Sequence, residues 1–533
     1  MSDSLIFRVG NYRFNCVTWL KNTPPHVPIL QPRQMNTSSP ITKSDFLRYL
    51  ECPAYFWFFK KKPEVLENIK LSDFQKELIK NGQEVELWAR KLFSHGILVE
   101  SRESEAIKET KKYLEAEEKV IFQATFETEN LYAMVDILQW DDSNKYWIIN
   151  EVKGTSSKDK KDKKHLYDAT FQYILLKKAG YDVGQVNLIE LDKEFRKKGD
   201  IKARKLLKTT DITETAKELE EEINLMIDDM KRILQNKREP LPCECIYKSR
   251  SNHCPAFKYL HPDVPDYSVH DIIRIGSSLK RLEGLIEGGH IPIGEVPEDF
   301  KLTDPQRNHV NVEQSKNPII DTIEIKKQLT ELVYPLYFLD YETYPTAVPI
   351  YDGCRPYQQV PFQYSLHILD KPNGKLTHHE YIHTDTESHP MIALADSLMK
   401  VMGDNGSIIV WNKKFEGKCH EDLADLLPQH AEIFHGYNQR IFDLMEIFSQ
   451  QHYLHHEFKG SFSIKAVLPV LIPELSYKDL NVRDGAMAMN GWKSMMFEMT
   501  EQKEKEQMEN DLLRYCELDT LAMVKILEVL QNL

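Results

Sequence analysis

Residues 337–344 read YFLDYETY and residues 512–527 read LLRYCELDTLAMVKIL. In the first stretch an apolar run carries Asp340 and Glu342 two positions apart. Side chains alternate between faces along a strand, so both carboxylates are expected on one face. Two carboxylates there repel unless a cation sits between them, and hard oxygen ligands suit Mg2+ or Mn2+. The second stretch has helical spacing, which puts Tyr515 and Asp519 on one helix face. Between the two, residues 411–423, WNKKFEGKCHEDL, leave a short apolar strand with Asn412 and Glu416 at the entry to a helix. Glu416 ranks first as the further acidic ligand. Asp443, in RIFDLM, competes for that place or else caps a neighbouring helix.

Around these motifs the chain reads as strands at residues 335–343, 363–369 and 407–411, then mainly as helices. A D-x-E strand, an acidic residue after N-x-x-F, and a late Y-x-x-x-D together resemble the DEDDy exonucleases, an RNase H-like family that includes proofreading and RNase D-type enzymes. That resemblance implies an RNase H-like DEDD exonuclease module in which Asp340, Glu342, Glu416 and Asp519 hold metal. Glu342 and Tyr515 would hold the attacking water. The family usually has Asp where this chain has Glu416. The wider segment from YFLDYETYPTAVPIYDGCRPYQQVPFQYSLH through GSFSIKAVLPVLIPELSYKDL resembles an uncharacterised bacterial family that joins this module to a RecB-like front half, a resemblance that covers residues 41–533. Arg355, Tyr357, Gln358, Gln359, Ser463 and Lys465 are then candidates for substrate contact or for packing and turn roles.

In the front half, residues 119–153 alternate β-like runs and polar turns, as an antiparallel meander does. A helix over residues 165–178, a strand at VNLIEL and a charged helix over residues 213–235 follow. Asp136 lies in the strand-like MVDIL, and IINEVK ends with Glu151 and Lys153 on one face. Asp136 and Glu151 are candidate ligands for a divalent ion, and Lys153 is placed to stabilise developing charge. The arrangement resembles the PD-(D/E)XK nucleases. Glu86 on a preceding helix and Gln172 in DATFQYILL, with Tyr173 a weaker companion, match places occupied in RecB-like members. The bland reading of E-x-K is a salt bridge.

Cys52 stands in ECPAYFWF, inside a single helical pattern that places Phe46, Leu47, Leu50 and Ala54 on one face with Thr42 or Ser44 as its N-cap, and Cys243, Cys245 and Cys254 follow the front core. One distant cysteine plus a later trio resembles the iron–sulfur nucleases, including RecB-like exonucleases associated with CRISPR adaptation. The resemblance implies a structural [4Fe–4S] cluster on four thiolates. The C-x-C spacing is tighter than usual and no cysteine closely follows Cys254, so His253 or His261 could substitute. Zn2+ is the alternative.

The chain has 533 residues, 41% hydrophobic and 28% charged, which suits about two to four folded domains. The expected architecture is α/β multi-domain. It runs as an N-terminal extension (1–40), a PD-(D/E)XK, restriction-endonuclease-like module (41–261), a helical linker (262–333) and an RNase H-like DEDD module (334–533). No apolar run is long enough to cross a bilayer, and no secretory signal precedes residue 40, so a cytoplasmic protein is expected. Eight irregularly spaced cysteines exclude a disulfide framework. The net charge of −13 excludes a uniformly basic coat but not local patches such as KDKKDKK at residues 158–164. The expected function is phosphodiester hydrolysis of nucleic acid, DNA before RNA. The alternatives are a binding scaffold with one or both sites inactive and an RNA-processing exonuclease.

Overall fold

The structure, a computed structural model, describes residues 39–66, 73–157, 162–240 and 243–533. Most of the N-terminal extension, and Lys158 to Lys161 of the basic run, lie outside the described residues. The protein is a mixed α/β multi-domain chain with two large sheets.

The front sheet contains β1 (Ile41–Thr42), β2 (Ile97–Leu98), β3 (Val120–Thr128), β4 (Leu131–Asp141), β5 (Tyr146–Ser156), β6 (Val183–Leu191) and β7 (Leu207–Asp211). Its order is β2-β3-β4-β5-β6-β7, with β1 pairing β4. The meander is antiparallel through β3, β4 and β5, and the helix Lys163–Lys178 carries the chain over to β6, parallel to β5. Near its start the chain makes two helices where the sequence suggested one. Thr42 caps Lys43–Glu51 reciprocally with Asp45, and an extended Cys52 followed by Pro53 begins Pro53–Lys61. Proline is tolerated at a first helical position but forces the preceding residue out of the helix.

Residues 262–333 hold the helices Leu279–Glu287, Asp304–Ser315 and Thr322–Leu329 and the short strand β8 (Ile319–Ile320). The second sheet contains β9 (Leu336–Thr343), β10 (Pro361–Leu369), β11 (Leu376–Ile382), β12 (Ser407–Val410) and β13 (Ile441–Asp443), in the order β11-β10-β9-β12-β13. β9, β10 and β11 are antiparallel neighbours, whereas β12 and β13 run parallel to β9. A final strand, β14 (Tyr453–Leu454), pairs with β8, so the connector is stitched to this half.

Alternation along β9 decides where its carboxylates go. Tyr337, Leu339 and Tyr341 enter one core with the helices Pro390–Val401 and Lys413–Leu426. Leu336 and Phe338 enter the other, with Trp492 and the C-terminal helix Gln502–Gln531. Phe338 and Phe362 are fully buried there, each worth about 1.5–3 kcal/mol of transfer free energy. Asp340 and Glu342 continue the Leu336–Phe338 face, and so point at the helix that carries Tyr515 and Asp519.

The halves share an interior. Ala347 and Val348, from the segment after β9, pack in one cluster with Val85, Ala89, Val152 and Ile189 of the front half. The Tyr357 hydroxyl donates to the Gly154 carbonyl, and Arg196 pairs with Asp425 at 2.9 Å. At Gly154 a Cβ would stand 3.0 Å from the Gly82 Cα, so glycine allows the helix Asp73–Arg90 to lie close against β5. No helix among the described residues is long and apolar enough to cross a membrane.

Candidate functional sites: two acidic centres and a thiol centre

Carboxylate oxygens of Asp340, Glu342 and Asp519 lie within 4.8 Å of one another. The strand supplies the first two and the C-terminal helix the third, 177 residues beyond Glu342 in the chain. Burial, and then the charge of Asp519, raises Asp340 well above the ordinary carboxylate range. Glu342 is raised by burial and then by Asp340 and Asp519. Burial also raises Asp519, against the opposing influence of Lys465 and the Tyr477 hydroxyl. Gathering three carboxylates in this way is costly without a cation, and an all-oxygen set fits a hard divalent ion such as Mg2+ or Mn2+.

The surroundings of this trio were only partly visible in sequence. Lys465 Nζ donates to the Tyr515 hydroxyl at 2.9 Å, and the Tyr477 hydroxyl donates to Asp519 Oδ1 at 2.6 Å. Tyr477 carried no signal in the sequence reading, because only tertiary packing brings LSYKDL to the helix. Glu416 is buried but stands outside the trio. Burial and then Asp340 raise it well above the usual range, and its Oε2 has no hydrogen-bond partner among the described residues. Asp443, the rival ligand, accepts hydrogen bonds from the backbone N–H of Lys413 and Met445 and so holds two helix starts.

The other candidates for substrate contact are mostly committed to structure. Arg355 pairs with Asp422, Gln358 accepts from the Arg355 N–H, Gln359 accepts from Thr343, and Ser463 caps the helix Ile464–Leu471. Lys465 alone of that set reaches the trio's surroundings.

In the front half, Glu151 is 1% exposed and lies at the centre of an ion-pair network. Its Oε1 accepts from Lys153 Nζ at 2.7 Å and from Lys43 Nζ at 2.8 Å, and its Oε2 accepts from Gln172 at 2.7 Å. Lys153 also pairs with Asp168. Burial alone would raise Glu151, but Lys153 and Lys43 outweigh it and hold the carboxyl well below the ordinary range. Asp136 behaves oppositely, pushed up to about 8 by burial and then by Glu151.

Gln123 bridges the remaining pair, donating to Glu86 at 2.6 Å and to Asp136 at 3.4 Å. It does so from a left-handed backbone (φ +58°) inside β3, strain of the kind often held at functional sites. Of the expected front residues, Lys153 and Gln172 therefore meet at Glu151, Glu86 and Asp136 are joined through Gln123, the charge of Glu151 reaches Asp136, and Tyr173 is buried in the core. Lys43, Asp168 and Gln123 went unread. Asp168 had a signal, since it sits one helical turn before Gln172.

The sulfurs of Cys52, Cys243, Cys245 and Cys254 all lie within 4.8 Å of one another, and those of Cys243 and Cys254 are 3.8 Å apart. All four residues are buried. A tetrahedron of sulfurs about 2.3 Å from one central ion has edges of about 3.8 Å. The thiols therefore fit a single tetrahedral ion. In a [4Fe–4S] cluster each thiolate holds a different iron, and the sulfurs stand farther apart than these. His261 Nε2 is 3.6 Å from Cys243 Sγ, whereas His253 stacks on Phe257 and faces the Lys248 carbonyl.

Residues 337–463 match a domain of unknown function, DUF2779. An uncharacterized protein of Ureaplasma parvum serovar 3 is 26% identical over 245 residues, 42% of this chain and 33% of that protein. An uncharacterized protein of Mycoplasma genitalium is 26% identical over 213 residues, 37% of this chain and 32% of that protein. The chain spans about a third of the length of the curated relatives it matches. No solved structure matches it significantly.

Proposed function

We propose that this chain is a metal-dependent nuclease with two nuclease-type sites, hydrolysing phosphodiester bonds of nucleic acid, DNA before RNA. The observation that carries the reading is the gathering of Asp340, Glu342 and Asp519 within 4.8 Å, with the first two raised by burial and mutual repulsion. The strand order β11-β10-β9-β12-β13, antiparallel on one side of β9 and parallel on the other, supports an RNase H-like reading of the second half. The meander and crossover helix, with Asp136, Glu151 and Lys153 together, support a PD-(D/E)XK reading of the first.

Bound Mg2+ or Mn2+ supplies Lewis-acid stabilisation of charge on the phosphate oxygens. Asp340, Glu342 and Asp519 would hold it, and Tyr477 fixes the Asp519 carboxylate. Tyr515, with Lys465 donating to its hydroxyl, orients the attacking water, and the Lys465 charge attracts the phosphate. In the front site Asp136 and Glu151 would hold the ion, Gln172 orients Glu151, and Lys153 offsets charge developing on the phosphate.

One observation favours a second reading for the front site. Glu151 already meets Lys43 and Lys153, so its charge is compensated without a cation, and a module that binds nucleic acid without turnover fits that balance. Cleavage of end-labelled DNA and RNA with Mg2+ or Mn2+ by wild type, Asp340→Ala, Glu151→Ala and the double variant tests both readings. Loss only in the double variant means two catalytic sites, whereas loss in Asp340→Ala alone makes the front half a binding module. No metal-dependent cutting of any substrate by the wild type overturns the nuclease reading, and a preference for RNA overturns the substrate assignment.

The thiol centre we assign to a structural metal that ties Cys52 to residues 243–254. The sulfur spacing favours Zn2+ over the [4Fe–4S] cluster that the resemblance implies. Metal and acid-labile sulfide analysis of anaerobically purified protein decides it: one zinc supports the assignment, and four irons with sulfide overturn it.

A further inference from the structure

We infer that His367, His378 and Glu517 form a third metal site, for a borderline transition ion such as Zn2+, beside the acidic centre of the second half. His367 and His378 are direct cross-strand partners on β10 and β11, and Glu517 comes from the C-terminal helix. One ligand atom from each of the three lies within 4.8 Å of the others. A histidine pair with a carboxylate and an open position suits zinc, and imidazole selects such ions over Mg2+.

The second observation is how the rings are held. His367 Nδ1 is 2.8 Å from the Thr520 hydroxyl, and His378 Nε2 is 2.9 Å from the Ser365 hydroxyl. Those two hydroxyls are 2.7 Å from each other. One nitrogen of each ring is thus fixed by a buried hydroxyl pair, which leaves Nε2 of His367 and Nδ1 of His378 for a ligand. His378 Nδ1 already faces Glu517 Oε1 at 3.7 Å. Histidines that bind metal are typically oriented in this way through the opposite ring nitrogen. Glu517 is partly exposed, so its carboxylate can close on an ion arriving from solvent.

The place in the fold gives the site a consequence. Ser365 lies opposite Asp340 in the sheet, and Thr520 follows Asp519 in the helix. An ion here would clamp the β10–β11 hairpin to the helix that presents Tyr515 and Asp519. The inference concerns metal binding and holds whether or not the acidic centre cuts nucleic acid.

The test titrates the full chain, its thiol site filled, with Zn2+ in excess Mg2+ by calorimetry, and follows the melting temperature. Wild type and Asp340→Ala should each bind one zinc beyond that held by the thiols, and zinc should raise the melting temperature of both. His378→Gln and Glu517→Gln should each weaken that binding by roughly tenfold or more and lose the rise in melting temperature, with the zinc-free melting temperature unchanged. No additional zinc in wild type, equal affinity in both variants, or loss of the zinc in Asp340→Ala overturns the site.

Discussion

Lys493 and Glu77 form a buried ion pair, 2.8 Å from Nζ to Oε1, between the helix Gly485–Phe497 of the second half and the helix Asp73–Arg90 of the first. Their side chains are 8% and 6% exposed. One helix lies against Glu342 and the other carries Glu86, so the pair joins two helices that each border one acidic group of residues. Glu84, two turns from Glu77, is pushed up to about 7 by burial and then by the Glu77 charge, with Lys493 opposing.

Removing Lys493 leaves the buried Glu77 carboxylate with the more distant, exposed Lys80, 3.8 Å away. Lys493→Met should destabilise the protein by about 3–5 kcal/mol, while Glu77→Leu with Lys493→Met should be near neutral. Chemical denaturation of the two variants checks this, and equal losses would show that the pair is not coupled.

Lys43 is a quarter exposed, yet it holds a fully buried carboxylate. Lys43→Met should cost about 1–3 kcal/mol, and the sign of its pH dependence follows from Glu151. Glu151 is depressed in the fold, so the stability it contributes is present above its unfolded value of about 4.3 and fades as the pH falls below it. The loss in Lys43→Met should therefore be larger at neutral pH than in acid, which denaturation at several pH values reads directly.

Asp136 titrates in the opposite sense. Raised to about 8 from an unfolded value of about 3.9, it favours the fold most at low pH, and that contribution declines as the pH rises through this window. A cation at the front site must displace its proton, so Mg2+ or Mn2+ affinity there should increase with pH up to about 8. Calorimetric titration of Asp340→Ala, which isolates the front site, should show this rise, and a flat profile would contradict the assignment.

Removal of one repelling carboxylate should separate function from stability. Asp340→Asn should lower Mg2+-dependent cleavage at the second site by at least about a hundredfold. Its melting temperature in chelator should match or exceed that of wild type, because Asp340 and Asp519 repel each other. Turnover and melting measured on the same preparation check both halves of the expectation.

The acidic motifs were legible because each lies within one element. Strand alternation put Asp340 with Glu342 and Glu151 with Lys153, and helical spacing put Tyr515 with Asp519. The meander read correctly for the same reason. β11, LTHHEYI, was missed because its polar residues hide the apolar alternation of a strand, and the break before Pro53 was passed over although the proline marked it. The sequence ranked Glu416 with the other acidic ligands, but only the packing of its helix leaves it outside the trio while still near Asp340.

The sequence by itself determined which side chains share a face, since backbone geometry fixes the period of a strand or helix whatever surrounds it. It also carried the cysteines, carboxylates and histidines that make up the candidate sites. Tertiary structure alone decided which faces meet: Lys43 with Glu151, Tyr477 with Asp519, His367 and His378 with Glu517, and Cys52 with three cysteines about two hundred residues away. Those meetings follow from the burial of whole apolar faces against one another, which no local period encodes.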